Sequence, residues 1–420
     1  MNILVISDKY PPYFAGGYEL ACQHDCQELA ARGHDITILC TNYGVKQSSA
    51  LPANEILPVK RELLCSDSGD FTINFQKNYW FSHVTRFHIA RKNYQITKKI
   101  IYNLKPDIVF GFQLIEATFT PIIAAHKAAI PVILSLGDDS YAKTIKYFQK
   151  KEAFAKNLIR LVLRMCSFGM FRLQPNVISH FISNSSRTKN ILSNVGVETK
   201  QCSIIPHYMS HDDFSRCSPG FLAPKPPLKK QLKIIYGGRI CEEKGIEMLV
   251  AIIYHLHQSK ILENIQVDLF GSGANTYEEK IRSLVEQYGL DKIITMYPCM
   301  EQHLFLKRMR NYHIFLFPFQ WEEPFGQVAI QSMASGVVCV ASNIGGPAEI
   351  ITHLQTGCLC EQRSVDDFVK KIELLAANQD LFDAIRNRAF QEVNEKYSAA
   401  AIVPKVEKIL LQFALPRASS

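Results

Sequence analysis

Several absences in the sequence exclude whole classes of function. The twelve cysteines include no Cys-x-x-Cys pair and the thirteen histidines no His-Glu-x-x-His, so the common dithiol and zinc patterns are missing. No uninterrupted run of about 18 apolar residues occurs, which argues against a membrane-spanning helix. The N-terminus has no basic stretch followed by a long apolar one, so we expect no secretory signal.

Charge and composition narrow the classes further. The formal charge of +8 over 420 residues is modest. It suits nucleotides, phosphates or a membrane surface, but is not by itself a nucleic-acid signature, and we expect no nucleic-acid partner. The scattered cysteines lie mostly in apolar segments, which indicates core thiols in a reducing compartment and hence a cytoplasmic protein. The loop after the first hydrophobic run lacks Gly-x-Gly-x-x-Gly, so a nicotinamide cofactor is not expected.

Short β-branched runs alternate with longer helical segments in both halves of the chain. Residues 3–6 and 36–40 read as strands on either side of a helix at 18–31, and residues 232–236 begin the same plan again. Such alternation predicts an α/β fold with doubly wound parallel sheets. Ligands of these sheets bind at the carboxyl ends of strands. In the first half those ends carry Gly16-Gly17, Gly111-Phe112-Gln113 and Gly137-Asp138-Asp139.

The chain is too long for one ordinary core, and two domains of roughly 200 residues are expected. A proline-rich stretch at 218–227 cannot form regular structure and is the best candidate for a linker. The predicted division is a first domain at 1–215, a linker at 216–231 and a second domain at 232–395. A C-terminal helical segment at 396–420 is expected to pack back on the first domain.

Residues 318–350 hold the densest set of candidate ligand-binding features. Glu322 and Glu323 precede Pro324-Phe325-Gly326, an apolar helix follows to Ala334, and Gly345-Gly346 opens another turn. A glycine at a helix N-terminus favours an anion, and carboxylates accept hydrogen bonds from sugar hydroxyls. Taken alone, the stretch is either a site for a phosphate and a polyol or a loop-helix-strand unit with capping acids.

Two further glycine-rich turns lie in the second half. Gly237-Gly238-Arg239-x4-Lys244-Gly245 places two cations at a strand end, where a guanidinium fork and an ammonium would suit a diphosphate. We call Arg239 and Lys244 the cation pair. Gly271-Ser272-Gly273 is equally well explained as a ligand contact or as a tight turn.

Residues 141–173 form a basic segment rich in large apolar side chains. Glu152 is the only acidic residue among its many lysines and arginines. An amphipathic helix of this kind can lie on an anionic membrane surface. The alternative is a solvated basic face over a buried apolar one.

Together these motifs resemble the retaining glycosyltransferases of family 4, which have the GT-B fold. The matching motifs are Gly16-Gly17, Gly238-Arg239 with Lys244-Gly245, Gly271-x-Gly273, Glu323-x-Phe325-Gly326 and Gly345-Gly346-x-x-Glu349. They extend over nearly the whole chain. The resemblance implies two Rossmann-like domains facing a central cleft, the first binding an acceptor and the second a nucleotide-diphospho-sugar.

The resemblance also implies roles for individual residues. Arg239 and Lys244 would hold the diphosphate and stabilise it as a leaving group without a metal, and Glu323 would bond sugar hydroxyls. Asp138 is the first-domain catalytic candidate, at the end of a strand. The donor-binding candidates are Gly16, Gly17, Gly238, Gly271, Phe325, Gly326, Gln327, Val328 and Gln331.

Three positions depart from the family pattern. Gln331 stands where a second glutamate is usual, Gly137 replaces a histidine before Asp138, and His207-Tyr208 replaces an Asn-Gly turn. We expect a metal-independent hexosyltransferase with no cofactor, acting on a glycan or lipid-linked saccharide in surface polysaccharide synthesis. The alternatives are a catalytically impaired binding or scaffold subunit, and a nucleotide-sugar epimerase on the same fold.

Overall fold

The computed structural model describes residues 1–13, 16–43, 55–65, 79–149, 175–218 and 225–416, with only the helical backbone at 79–86 and 147–149. Within these residues the chain forms two compact units. The first consists of Met1–Pro206 together with Val403–Ser420, and the second of His207–Ile402.

The described part of the first unit is built on a parallel sheet in the order β3-β2-β1-β4-β5-β6-β7. The strands are β1 (Asn2–Ile6), β2 (Asp35–Thr41), β3 (Val59–Leu63), β4 (Ile108–Gly111), β5 (Val132–Leu136), β6 (His180–Ser183) and β7 (Cys202–Ile204). The helices are α1 (Gly17–Ala31), α2 (Tyr79–Leu104), α3 (Thr120–Lys127), α4 (Ser140–Gln149) and α5 (Ser186–Ser193). The central strand β1 is buried from Ile3 to Ile6, as expected for a parallel strand covered on both faces.

The second unit repeats this plan with a parallel sheet in the order β10-β9-β8-β11-β12-β13. The strands are β8 (Leu232–Gly237), β9 (Ile265–Phe270), β10 (Ile294–Tyr297), β11 (Ile314–Phe317), β12 (Val338–Ser342) and β13 (Cys358–Cys360). The helices are α6 (His211–Cys217), α7 (Ile246–Ser259), α8 (Asn275–Gln287), α9 (Gln302–Met309), α10 (Gln327–Ala334), α11 (Gly345–Ile350), α12 (Val365–Ala377) and α13 (Gln379–Lys396). A last helix, α14 (Ala399–Phe413), leads back to the first unit.

The predicted fold class, two Rossmann-like α/β domains with parallel sheets, is confirmed. The edge strands β3 and β13 were not predicted. β3 has the sequence VKREL, whose charged residues suit the exposed edge of a sheet rather than a buried strand. β13 is only three residues long. Gly345-Gly346, predicted to open a turn, instead begins the short helix α11.

The boundary between the units differs from the predicted linker. It falls at Pro206–His207, whereas the described residues 225–231 belong to the second unit. Leu228 is fully buried in the core of that unit. The ammonium of Lys225 donates to the carbonyl oxygens of Tyr312 and Gly336, and burial holds its pKa well below the usual value. The segment therefore packs into the second unit despite its prolines.

His313, at the start of β11, holds the same segment from the other side. Its Nδ1 accepts from the backbone N–H of Lys233 at 3.0 Å, and its Nε2 lies 3.1 Å from the carbonyl oxygen of Pro226. A neutral ring protonated at Nε2 satisfies both contacts. Burial accordingly lowers the pKa of His313 to about 4.

The chain returns to the first unit at Val403 rather than at the predicted residue 396. Glu407 of α14 accepts hydrogen bonds from Arg32 and His34, each at 2.8 Å, and these bonds lower the pKa of its carboxyl. The backbone N–H of Leu415 donates to the carbonyl oxygen of Asp107 at 3.0 Å. The first unit is thus made from both ends of the sequence.

Among the described residues, no helix combines the length and the apolar character that crossing a membrane requires.

Candidate functional site

The strand order of the second unit places its main candidate residues at one point. Chain order runs outward from β8 through β9 to β10 on one side, whereas β11 pairs with the other side of β8. Connections that leave in opposite directions make a crevice at the carboxyl ends of such a strand pair. The cation pair follows β8 and Glu323 follows β11, so the two predicted groups meet there.

The loops after β8 and β9 are packed backbone against backbone. The N–H of Gly238 donates to the carbonyl oxygen of Phe270 at 3.0 Å, and that of Ile240 to Ser272 at 3.0 Å. A Cβ added to Gly271 would lie 1.8 Å from the carbonyl oxygen of Gly238. Gly271 is therefore required for the turn itself, and its contact with a donor stays a prediction.

The two members of the cation pair have different surroundings. Arg239 has a side chain that is 66% exposed, and its guanidinium lies 3.5 Å from the carboxylate of Glu243. Lys244 has a side chain that is only 12% exposed, and its ammonium lies 2.5 Å from Oε2 of Glu323. Arg239 is thus a solvated cation at the rim, while Lys244 is held inside the site.

Glu323 is at the centre of a small network. Its Oε2 accepts from Lys244 and also from the indole N–H of Trp321, at 3.0 Å. The Lys244 ammonium lies 5.4 Å from the centroid of the Trp321 ring and 5.6 Å from that of Phe317. An ammonium over an aromatic face is favourable, and more so where water is partly excluded. A carboxylate and a cation are thus fixed side by side next to two aromatic rings.

A left-handed glycine locks the β8 and β11 loops together. Gly245 has φ of +71°, and a Cβ there would lie 1.9 Å from the carbonyl oxygen of Pro318. The N–H of Gln320 donates to the carbonyl oxygen of Glu243 at 2.8 Å. Any other residue at 245 would be strained and would push the loops apart. This explains why a glycine follows Lys244 directly.

The backbone of Glu323 is held from its other side by α11. The N–H of Gly346 donates to the carbonyl oxygen of Glu323 at 2.7 Å. Gly345 has φ of +62°, and a Cβ there would lie 2.5 Å from the same oxygen. The Gly345-Gly346 pair therefore fixes the position of the glutamate.

The N-terminus of α10 adds backbone donors to the site. Gly326 precedes it with φ of +81°, and no side chain caps the helix. Gln327 and Val328 are partly exposed, while the ring of Phe325 is buried against that of His207 at 5.2 Å. Uncapped N–H groups at a helix N-terminus attract an anion. The N–H groups at the start of α10 therefore suit an anion, and the donor contact of the group from Phe325 to Val328 stays a prediction.

Gln331, the amide in place of the family's second glutamate, lies on α10 and is 5% exposed. A neutral amide avoids the large cost of burying a carboxylate at this position. Its contact with the donor stays a prediction.

The first-unit candidates lie at or just before the N-termini of helices, where they bond neighbouring residues. The N–H of Gly16 donates to Oε2 of Glu19 at 3.1 Å, and Gly17 begins α1. Oδ1 of Asp138 accepts from the N–H of Ser140, the first residue of α4, at 2.9 Å, and the amide of Gln113 approaches its other oxygen at 3.4 Å. The catalytic role of Asp138 stays a prediction.

Two residues of interest were not predicted from the sequence. Trp321 is one of two tryptophans in the chain and directly precedes the two glutamates, which was an available signal. Asp8 follows β1 and accepts from the backbone N–H groups of Ile115, Glu116 and Ala117, at 2.6 to 3.0 Å. Burial raises the pKa of Asp8 to about 7 even though these three bonds lower it. Asp8 thus fixes the loop after β4.

Paired acids in the described residues have protein partners. Asp213 contacts Arg216 at 3.3 Å and Gln302 at 2.8 Å. Within the described ranges, no group of three or more histidine, cysteine, aspartate or glutamate side chains is arranged to hold a metal ion.

Comparison with known proteins gives a consistent result. Residues 221–392 match the family model described as glycosyl transferases group 1. An uncharacterized glycosyltransferase of Methanocaldococcus jannaschii is 21% identical over 401 residues, or 95% of each chain.

Two solved structures are similar in fold. The Anabaena protein HepE in complex with UDP superposes with a TM-score of 0.66 at 15% identity, over 98% of this chain and 100% of its own. A lipopolysaccharide outer core galactosyltransferase superposes with a TM-score of 0.66 at 14% identity, over 98% and 99%. At such identities the likeness shows the fold alone.

Proposed function

We propose that this chain is a GT-B glycosyltransferase that carries out a retaining transfer from a nucleotide-diphospho-sugar, because residues 221–392 match the group 1 family model and the fold is similar to that of HepE. The acceptor is a glycan or lipid-linked saccharide in surface polysaccharide synthesis. The proposal draws support from the similar galactosyltransferase of the lipopolysaccharide outer core and from HepE, whose structure contains UDP.

The observation that carries the proposal is the Lys244–Glu323 pair next to the N-terminus of α10. It combines a partly buried ammonium, a carboxylate and uncapped backbone N–H groups at the switch point of one sheet. A nucleoside diphosphate needs the cation and the N–H donors, and a sugar needs the carboxylate.

The chemistry follows from where charge develops. As the bond between the anomeric carbon and the diphosphate oxygen breaks, negative charge grows on the departing phosphate. Lys244, Arg239 and the N–H groups of Gln327 and Val328 are the groups that would stabilise that charge. The two side-chain cations supply the positive charge, and we therefore propose metal-independent transfer of a hexose. Glu323 would orient the sugar through its hydroxyl groups.

Thermal shift tests the donor class directly. We expect one nucleoside diphosphate and its sugar, among UDP, GDP, ADP and their glucose or mannose conjugates, to raise the Tm. A ligand that binds only the folded state stabilises it, and a concentration 100 times the Kd should add about 5 °C for a unit of this size. The matching adenosine and uridine nucleosides, which lack phosphate, are the controls. No shift with any nucleotide, together with no donor hydrolysis or transfer, would contradict the proposal.

We also propose that the basic segment 141–173 contacts an anionic membrane surface. The structure describes α4 as far as residue 149, where Lys143 and Lys146 are exposed, and the rest of the segment lies outside the described residues. Each cation near an anionic leaflet contributes about 1 kcal/mol, an attraction that salt screens. Co-sedimentation with phosphatidylglycerol-containing vesicles is expected at low salt and not at high salt. Equal sedimentation with pure phosphatidylcholine vesicles, or none at low salt, would refute this contact.

A further inference from the structure

We infer that Trp321 is the positioning residue of the donor site, because one indole ring sets both the sugar-binding carboxylate and the phosphate-binding ammonium. The inference rests on the proposed function and goes beyond it by assigning a role to a residue outside the predicted set.

The first contact of Trp321 is a hydrogen bond that holds one of the two carboxylate oxygens of Glu323. The indole N–H and the Lys244 ammonium both bond Oε2, at 3.0 and 2.5 Å. Both hydrogen bonds reach Oε2, and among the described residues none reaches Oε1. Oε1 is therefore the oxygen left for a sugar hydroxyl. A carboxylate whose side-chain torsions are fixed by two donors loses little entropy when it binds a substrate.

The second contact orients the cation. The Lys244 ammonium lies 5.4 Å from the centre of the Trp321 ring, and Trp321 is itself partly buried. A lysine side chain has four rotatable bonds and loses much freedom when ordered. The ring face and the Glu323 carboxylate together keep the ammonium in one place. One residue therefore couples the two halves of donor recognition.

Substitutions can separate these contacts. Trp321→Phe removes the N–H donor and keeps an aromatic face for Lys244, whereas Trp321→Leu removes both. Tyr254→Leu is the matched control, because Tyr254 is a partly buried aromatic on α7 that stacks on Tyr288 at 4.7 Å, away from Glu323. The measured quantities are Kd values, from calorimetry, for UDP and UDP-glucose or for the pair that the thermal-shift panel selects. The ratio of the two Kd values is the gain in affinity from the sugar.

Trp321→Phe is expected to lower this sugar-dependent gain about 10-fold, the effect of one hydrogen bond to a charged group, while the Kd of the nucleoside diphosphate stays unchanged. Trp321→Leu should also weaken the nucleoside diphosphate, by about 3-fold, because the cation–π contact is lost. Tyr254→Leu should change neither quantity.

A second measurement separates positioning from general support of the fold. In a Glu323→Ala background, which lacks the side chain that the Trp321 N–H holds, Trp321→Phe should have almost no additional effect on the sugar-dependent gain. Additive effects of the two changes would overturn the inference. The inference would also be overturned if the wild type bound the nucleoside diphosphate and the nucleotide-sugar with equal Kd values, or if both Kd values of Trp321→Phe matched those of the wild type.

Failure of the inference and failure of the proposed function give different results. If the wild type binds and turns over a nucleotide-sugar but Trp321→Phe behaves normally, only the positioning role is wrong. If the wild type binds no nucleotide at all, the proposed function fails and the inference fails with it.

Discussion

Lys244→Ala protein is expected to transfer sugar about 100-fold to 1,000-fold more slowly than wild type, the usual cost of removing one preorganised group that stabilises transition-state charge. The ammonium is partly buried and bonded to Glu323, so its charge acts in a site where water screens it weakly. The nucleoside diphosphate should also bind more weakly. Both quantities are measured with the donor identified by thermal shift.

Two companion variants make this test specific. Arg239→Ala should reduce transfer in the same direction but by less, since its guanidinium is mostly exposed and its charge is better screened. Lys370→Ala removes an exposed lysine that pairs with Asp366 on α12, and should leave transfer unchanged. Near-normal transfer by both Arg239→Ala and Lys244→Ala, with the true donor, would show that the cation pair does not stabilise the leaving group.

Glu323→Gln is expected to slow transfer about 10-fold to 100-fold, yet to bind the nucleoside diphosphate at least as tightly as wild type. The amide keeps the shape of the side chain and still accepts the Trp321 N–H, but its hydrogen bonds to sugar hydroxyls are no longer charge-assisted. Lys244, in turn, loses a carboxylate that competes with phosphate for its ammonium. Calorimetry with the nucleoside diphosphate and rate measurements with the donor sugar are the two readouts.

The affinity for the nucleoside diphosphate is expected to fall in Lys244→Ala and not in Glu323→Gln. This difference distinguishes a donor site from an ion pair that only supports the fold. A pair that only supports the fold would give the two variants similar losses in Tm and in nucleotide affinity. Glu322→Gln is the matched control, because it removes the neighbouring, exposed carboxylate. If Glu322→Gln matched the loss seen with Glu323→Gln, the role of the carboxylate would have been assigned to the wrong residue.

The fold class could be predicted because the sequence features that indicate it are local. Buried strands such as β5 are short, mostly apolar runs, and the helices between them follow from hydrophobic periodicity and from glycine and proline at their ends. The edge strand β3 has charged residues instead, so its place depends on pairing with β2, which is a non-local contact. The boundary between the units differs from the predicted linker for a similar reason. Lys225 is charged and lies in a proline-rich stretch, yet its partners are carbonyl groups more than eighty residues away.

At the site, the glycines in the sequence predicted the local structure better than the charged residues did. Gly245 and Gly345 stand where the backbone needs a positive φ or a close approach, and that need is visible in sequence as a glycine after a cation or before a helix. The spacing of Arg239 and Lys244, by contrast, predicted one shared task. In the structure one cation faces Glu243 and the other Glu323, a difference set by the turn at Gly245 and by contacts with β11. The role of Trp321 could not be predicted, because it depends on which atom of Glu323 its N–H reaches.

The return of α14 to the first unit has a consequence for how the protein is synthesised. The ribosome completes residues 207–402, the whole second unit, before it adds Glu407. Arg32 and His34 are translated before the second unit, yet their carboxylate partner is translated after it. The second unit can therefore fold during translation as an uninterrupted segment, whereas the first gains the contacts of Glu407 only after the second unit has been translated. Of the two units, the one whose translation begins first is therefore completed after the other.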